Sequence, residues 1–203
     1  MATRKFILAI GAHPDDVEIG CGGALARHAA QGEAIMILTL TRGAIGGDIE
    51  RRSQESHRVA ELLGAQLVFG ELNDGQISEG VETITLIEDA IKAFHPTHIY
   101  THTCHDTHQD HRATHHAAMV AARHVKNFYC YQSPSSTVDF RPNYFVDISA
   151  FMESKLELIA AYESQTSRRN NLAPDLMLAT ARYWGRYAGY GLVEPMLIMR
   201  QFD

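Results

Sequence analysis

Apolar positions fall in short, near-continuous runs separated by segments that repeat on a helical period, and this rhythm holds through the first two thirds of the chain. The runs KFILAIGA (5–12), AIMILTLT (34–41), QLVFGE (66–71), HIYTH (98–102) and FYCYQ (128–132) predict five strands. Between them, GGALARHAAQG (22–32), ERRSQESHRVAELLG (50–64), ETITLIEDAIKAF (82–94) and HRATHHAAMVAARHV (111–125) predict helices. Gly32 and Gly64 are placed to close two of these helices, and Pro96 to stop the third. Asp74-Gly75 is a turn signal after the third strand. Strands that are apolar on both faces and alternate with helices predict an α/β fold: a Rossmann-like open parallel sheet in three α/β/α layers. The last third is less regular. It offers strands at YFVDIS (144–149) and PMLIMRQF (195–202), and helices at FMESKLELIAAYES (151–164) and PDLMLATARYWGRYAGY (174–190).

Two loops break the apolar rhythm. The first strand runs into HPDD (13–16), and the fourth into an unusually polar stretch, THTCHDTHQDH (101–111). Ligands of open α/β sheets bind beyond the carboxyl ends of the strands, where strand order reverses. In a 3-2-1-4-5 order that point lies between strands 1 and 4, so the two loops meet. Adjacent carboxylates are costly to desolvate without a positive partner. Imidazole and carboxylate donors with one position left open suit a catalytic zinc, ferrous or similar ion.

Composition narrows the classes. With 203 residues, 45% hydrophobic, the chain is sized for a single domain over 1–203. A formal charge of −6 leaves no footprint for nucleic acid or an anionic membrane. The longest apolar run is far too short to span a bilayer, and the basic-then-apolar start reads as a first strand rather than a signal peptide. Three scattered cysteines, Cys21, Cys104 and Cys130, form no disulfide framework and point to a reducing, cytoplasmic setting. GCGG (20–23) lacks the spacing of a dinucleotide or phosphate loop and reads as close packing at a helix start. The glycines of TRGAIGG (41–47) imply a mobile loop. Trp184 and its tyrosine neighbours read as core or interface.

AHPDDVEIGCGG (12–23) followed by HQDHRATHHAA (108–118) resembles the LmbE-like, or PIG-L, family of metal-dependent N-acetylglucosaminyl deacetylases. The likeness continues in RSQESHRVAELLGA (52–65), FVDIS (145–149), Lys155, Ser164-Gln165 and GLVEPMLIM (191–199). The resemblance implies one divalent ion, zinc or ferrous iron, on His13, Asp16 and His111. It implies Asp15 as the base that activates water, His108 as the group that stabilises the oxyanion or protonates the amine, and Asp110 as the carboxylate that orients His108. Arg42, Arg52, Glu55 and Asp106 are candidate substrate contacts, Asp106 standing where some relatives carry Tyr or Arg. A small-molecule amino-sugar substrate and a trimeric or hexameric homo-oligomer also follow from the resemblance. The competing readings are a metal-dependent amidase or phosphoesterase on another small polar substrate, and a non-catalytic metal- or sugar-binding module.

Overall fold

The computed structural model describes residues 4–189 and 191–202. Seven strands form one sheet in the order β3-β2-β1-β4-β5-β7-β6. They are β1 (Phe6–Gly11), β2 (Ala34–Thr41), β3 (Gln66–Leu72), β4 (His98–His102), β5 (Asn127–Tyr131), β6 (Tyr144–Asp147) and β7 (Val193–Arg200). The first five are parallel, and β7 is antiparallel to both of its neighbours. The parallel core follows the apolar runs. Only β7 departs from the all-parallel expectation: β6 runs in the same direction as β5, and β7 enters between them from the opposite end.

Helices α1 (Asp16–Ala30), α2 (Ile49–Leu63), α5 (Met152–Ala160) and α7 (Pro174–Ala188) cover one face of the sheet; α3 (Val81–Phe94) and α4 (Gln109–Ala121) cover the other. A short α6 (Glu163–Thr166) and a 3₁₀ turn over 170–172 connect α5 to α7. Each face has its own apolar core. Ile7, Val17, Val59 and Leu158 pack on the first, and Leu8, Ile87, Ala117 and Phe128 on the second. Helix ends agree with the sequence. Gly64 closes α2 in the left-handed region at φ 61°, and His95 ends α3 just before Pro96. The helix expected over 174–190 ends by Ala188, and Tyr190 lies outside the described residues, as do Met1–Thr3.

One helix start was misplaced. α1 begins at Asp16, six residues before the predicted Gly22, and kinks at Cys21 (φ −142°, ψ 20°). Low-propensity glycines hide that first stretch from a propensity reading. They are there for space. A Cβ on Gly20 would sit 2.2 Å from the Tyr131 ring, and one on Gly23 2.8 Å from Ile148. Tyr131 in turn donates to Ile10 O at 2.8 Å, which locks the start of α1 against β1 and β5. Lys155 and Glu194 form a buried pair at 2.5 Å, and Glu194 also accepts from Gly23 N and Ala24 N beyond the kink.

Candidate active site

The chain leaves β1 through Ala12 and His13 and enters α1 at Asp16, with Asp15 as the N-terminal cap residue. Asp15 holds a left-handed backbone, φ 96° and ψ −24°, a conformation that costs a non-glycine residue about 1–2 kcal/mol. Such strain persists only where the surroundings over-determine it. Arg52, on α2 and 1% exposed, does so: its guanidinium donates to Pro14 O at 2.6 Å and Gly43 O at 2.9 Å, and stands 3.7 Å from Asp15 Oδ1. The glycines after β2 make room for it. A Cβ on Gly43, itself at φ 68°, would fall 2.1 Å from Arg52 Nη1. Gly43 and Gly46 of that loop thus pack directly on the Arg52 guanidinium.

Asp16 turns inward. Its Oδ2 accepts from His13 N at 2.7 Å and meets His102 Nε2 at 3.1 Å, and its Oδ1 lies 3.3 Å from His111 Nε2. From the loop after β4, Asp106 holds the far side of the His111 ring through Nδ1 at 3.0 Å, and is itself held by Ser133 Oγ and His108 N. His102 and His111 stack at 3.9 Å, and His108 and His111 at 4.4 Å. His13 Nε2 contacts Asp110 Oδ2 and Asp74 Oδ1, each at 3.1 Å. Asp110 is anchored by Gly75 N and Ile77 N, and Asp74 by Ile45 N. Loops after four successive parallel strands thus converge on one cluster.

These contacts set the charges. Burial opposes protonation of His13, but its bonds to Asp110, Asp16 and Asp74 carry it up to about 12. Burial likewise opposes charge on His111, yet the Asp16 charge and the bonds to Asp106 and Asp16 raise it to about 9. Burial works against ionised Asp16 too, but the His111 and His102 charges hold it well below the usual carboxylate range. His102, buried and facing the His111 charge, falls to about 4. Asp15 behaves oppositely: burial and the Asp16 charge push it up to about 7, against Arg52, Arg169 and His13. Its Oδ2 is buried without a hydrogen-bond partner, 3.5 Å from Arg169 Nη1.

Donor chemistry and spacing fit a divalent ion. Two bonds of about 2.0–2.2 Å at a tetrahedral angle set their donor atoms roughly 3.3–3.5 Å apart. His13 Nδ1 lies 3.3 Å from Asp16 Oδ2, and His111 Nε2 lies 3.3 Å from Asp16 Oδ1. Among the described residues three groups have donors within 4.8 Å of one another: His13 with His108 and His111, Asp16 with His102 and His111, and His13 with Asp74 and Asp110. The expected trio of His13, Asp16 and His111 is not itself one of these groups; its members are divided between the first two, with His111 common to both. A cation there would supply the charge that protons on His13 and His111 otherwise bring to this acidic cluster.

A cavity of about 300 Å³ opens over the cluster, lined by His13, Asp15, Asp16, His108, His111 and Arg169 among others. Arg52 reaches its wall, but the other three expected contacts lie elsewhere. Arg42 makes a two-pronged pair with Glu71, donates to Ser53 Oγ and stacks on Phe69. Glu55 is buried between α2 and α6, accepting from Ser164 N and Oγ. Asp106 faces His111 rather than the cavity. Asp110 also differs from expectation: its carboxylate bonds His13, and its backbone N–H donates to His108 Nδ1 at 3.2 Å. Sequence reasoning read Asp74 only as a turn signal and passed over Arg169 and Ser133. For Asp74 the signal was present, since it follows β3 at the same sheet edge. Arg169 comes from the irregular last third and carried none.

A family model described as GlcNAc-PI de-N-acetylase (PIG-L) matches residues 8–122. The uncharacterized deacetylase YaiS of Escherichia coli K12 is 36% identical over 171 residues, covering 79% of this chain and 92% of its own. Diacetylchitobiose deacetylase of Thermococcus kodakarensis is 28% identical, with 94% and 81% covered. A relative of different name, 4-oxalmesaconate hydratase of Pseudomonas putida, is 25% identical, with 80% and 74% covered. Among solved structures, the conserved protein TT1542 from Thermus thermophilus superposes with a TM-score of 0.89 at 28% identity, covering 98% of this chain and 96% of that one.

Proposed function

The chain belongs to the PIG-L family, and on that premise we propose that it is a metal-dependent hydrolase that removes the acetyl group from an N-acetylated amino sugar. The observation that carries the reading is Asp15: a buried carboxylate, raised to about 7, with one unpartnered oxygen beside a His/Asp cluster fit for a cation. His13, Asp16 and His111 would hold the ion, zinc or ferrous iron. When bound, it supplies Lewis-acid activation of water and of the amide carbonyl.

The remaining chemistry belongs to the chain. Asp15 takes a proton at Oδ2 from the attacking water, a role suited to a buried carboxylate oxygen with no hydrogen-bond partner of its own. Arg52 fixes Asp15 through the Pro14 carbonyl and the carboxylate itself. His108 accepts from Asp110 N at Nδ1, so its Nε2 carries the proton and donates to the carbonyl oxygen as charge develops there. Asp110 and Asp74 hold the His13 ring, the supporting role that carboxylates play behind ligating histidines. The amine departs with a proton from Asp15 or His108.

A phosphoesterase is disfavoured because the Arg52 guanidinium is already committed to Pro14 O and Gly43 O, leaving Arg169 as the other arginine on the cavity wall and no lysine there. We further infer one domain over 1–203 from the chain's length, a cytoplasmic setting from its scattered cysteines, and a trimeric or hexameric assembly by family resemblance; light scattering on eluted protein tests the assembly.

The test is amine release from a panel of N-acetylglucosamine compounds, with chelator-stripped protein reloaded separately with zinc and ferrous iron, and Asp15→Asn as control. Release that requires metal and falls at least 100-fold in the variant is expected. Metal binding without release from any member overturns the deacetylase reading. Hydration of 4-oxalmesaconate by the same protein would move it toward the hydratase relative.

A further inference from the structure

A second cavity of about 290 Å³ lies beside the first, and the two share the side chains of Ile19, Pro134 and Asn171 as a common wall. Its far wall is one face of α7, carrying Leu176, Met177, Thr180 and Ala181, and its floor is the end of β7. Each cavity is at the lower end of the size range for small-molecule sites, about 300 Å³. Together they suit a ligand of two units better than either suits a whole one.

The chemistry of the second cavity is set by what its polar groups already do. Lys155 Nζ is spent on Ile19 O at 2.7 Å and Glu194 at 2.5 Å, and the Glu194 carboxylate also takes Gly23 N and Ala24 N. Gln132 Oε1 accepts from Trp184 Nε1, Thr180 Oγ1 donates to Leu176 O, and Ser136 Oγ accepts from Ser133 N. The one charged pair cancels itself. What remains for a ligand is mostly apolar surface, with Leu176 46% exposed at the rim and the Gln132 and Asn171 amides as the polar groups left on the wall. The first cavity is more polar, with Arg169 half exposed and His108 open to solvent.

We propose that this second cavity is the aglycone subsite of the enzyme, and that it takes an uncharged, apolar group, aryl or alkyl, joined to the amino sugar whose acetamide occupies the first. The assignment rests on the deacetylase reading above. It names the substrate class: an N-acetylglucosaminide with an apolar aglycone, rather than a free sugar or a glycoside of a charged acid. Asn171, on the shared wall, faces the junction between the two units.

The experiment compares kcat/KM for methyl, 4-nitrophenyl and 4-carboxyphenyl N-acetylglucosaminides in the metal-loaded protein and in Thr180→Trp, which fills the cavity from its exposed α7 wall. The expected result is an advantage on the order of tenfold for nitrophenyl over methyl, lost with the carboxylate and abolished in the variant. Leu176→Glu, at the rim, serves as a second variant should the first fold poorly, and is expected to cut the same ratio. Equal rates on methyl and nitrophenyl glycosides, or a preference that survives both substitutions, overturns the proposal. Calorimetric binding of 4-nitrophenyl glucosaminide, the free amine, separates the two readings. Binding lost in the variants with no glycoside deacetylated upholds the cavity and fells the deacetylase reading; no binding to the parent protein fells the cavity.

Discussion

Replacing Arg52 by Met tests the claim that one buried guanidinium holds the catalytic loop in place. The parent side chain donates to Pro14 O and Gly43 O and faces Asp15, all away from solvent. Hydrogen bonds from a charged donor contribute about 1.5–3 kcal/mol each, so the two carbonyl bonds account for roughly 3–6 kcal/mol gross. Burying the methionine in place of a cation offsets part of this, about 1.5–3 kcal/mol. Asp15 meanwhile loses a charge partner at 3.7 Å, and the strained φ of 96° loses its restraint. A net loss of about 3 kcal/mol follows, in line with breaking a buried pair from one side. In urea that is a midpoint lower by roughly 1 M or more with the slope unchanged. Arg52→Lys keeps the charge but cannot reach both carbonyls, and is expected to lose about half as much. Amine release should fall further in the Met variant than its folded fraction explains. An unchanged urea midpoint in the Met variant would refute the reasoning, because the bonds described could not then be holding anything.

Gly20→Ala, whose new Cβ would lie 2.2 Å from the Tyr131 ring, is expected to lower stability by about 1–3 kcal/mol, read as a drop in melting temperature. Lys155→Met and Glu194→Gln should each cost about 3–5 kcal/mol because each strands a buried charge; the double variant should recover much of it, which a double-mutant cycle in urea measures. Zinc or ferrous iron added to stripped protein at 100 times its dissociation constant should stabilise it by about 2.7 kcal/mol, and His13→Ala and His111→Ala should remove that shift in a thermal melt.

Much of this was legible because two kinds of pattern are local. Apolar runs mark buried strands wherever they occur, and HPDD and HQDH sit at strand ends whose adjacency follows from handed crossovers. The burial of Arg52 was not legible: RRSQES looks like a solvated helix start, and only the Gly43 and Gly46 backbones, brought close by the fold, turn it into an interior cation. Asp106 was drawn toward the substrate by its position, while its bond to Ser133 depends on a segment 27 residues later. Asp110 was right in place and different in partner, since one residue's carboxylate and amide point to different histidines. The antiparallel course of β7 was hidden because a strand's direction is set by how the chain returns to the sheet, which periodicity does not record.

That course of β7 bears on how the molecule is made. A ribosome delivers β1 to β5 first, and with them every side chain assigned to the cation and the proton transfers. β6 then emerges with nothing to pair with until Val193–Arg200 follows and slots between it and β5. For that interval β5 presents a bare edge and β6 floats. Unpaired edges of this kind recruit other chains. A nascent chain stalled before residue 193 should thus aggregate through β5 even though its reactive loops are complete, and the final eight-residue strand acts as the closure that makes the enzyme safe to release.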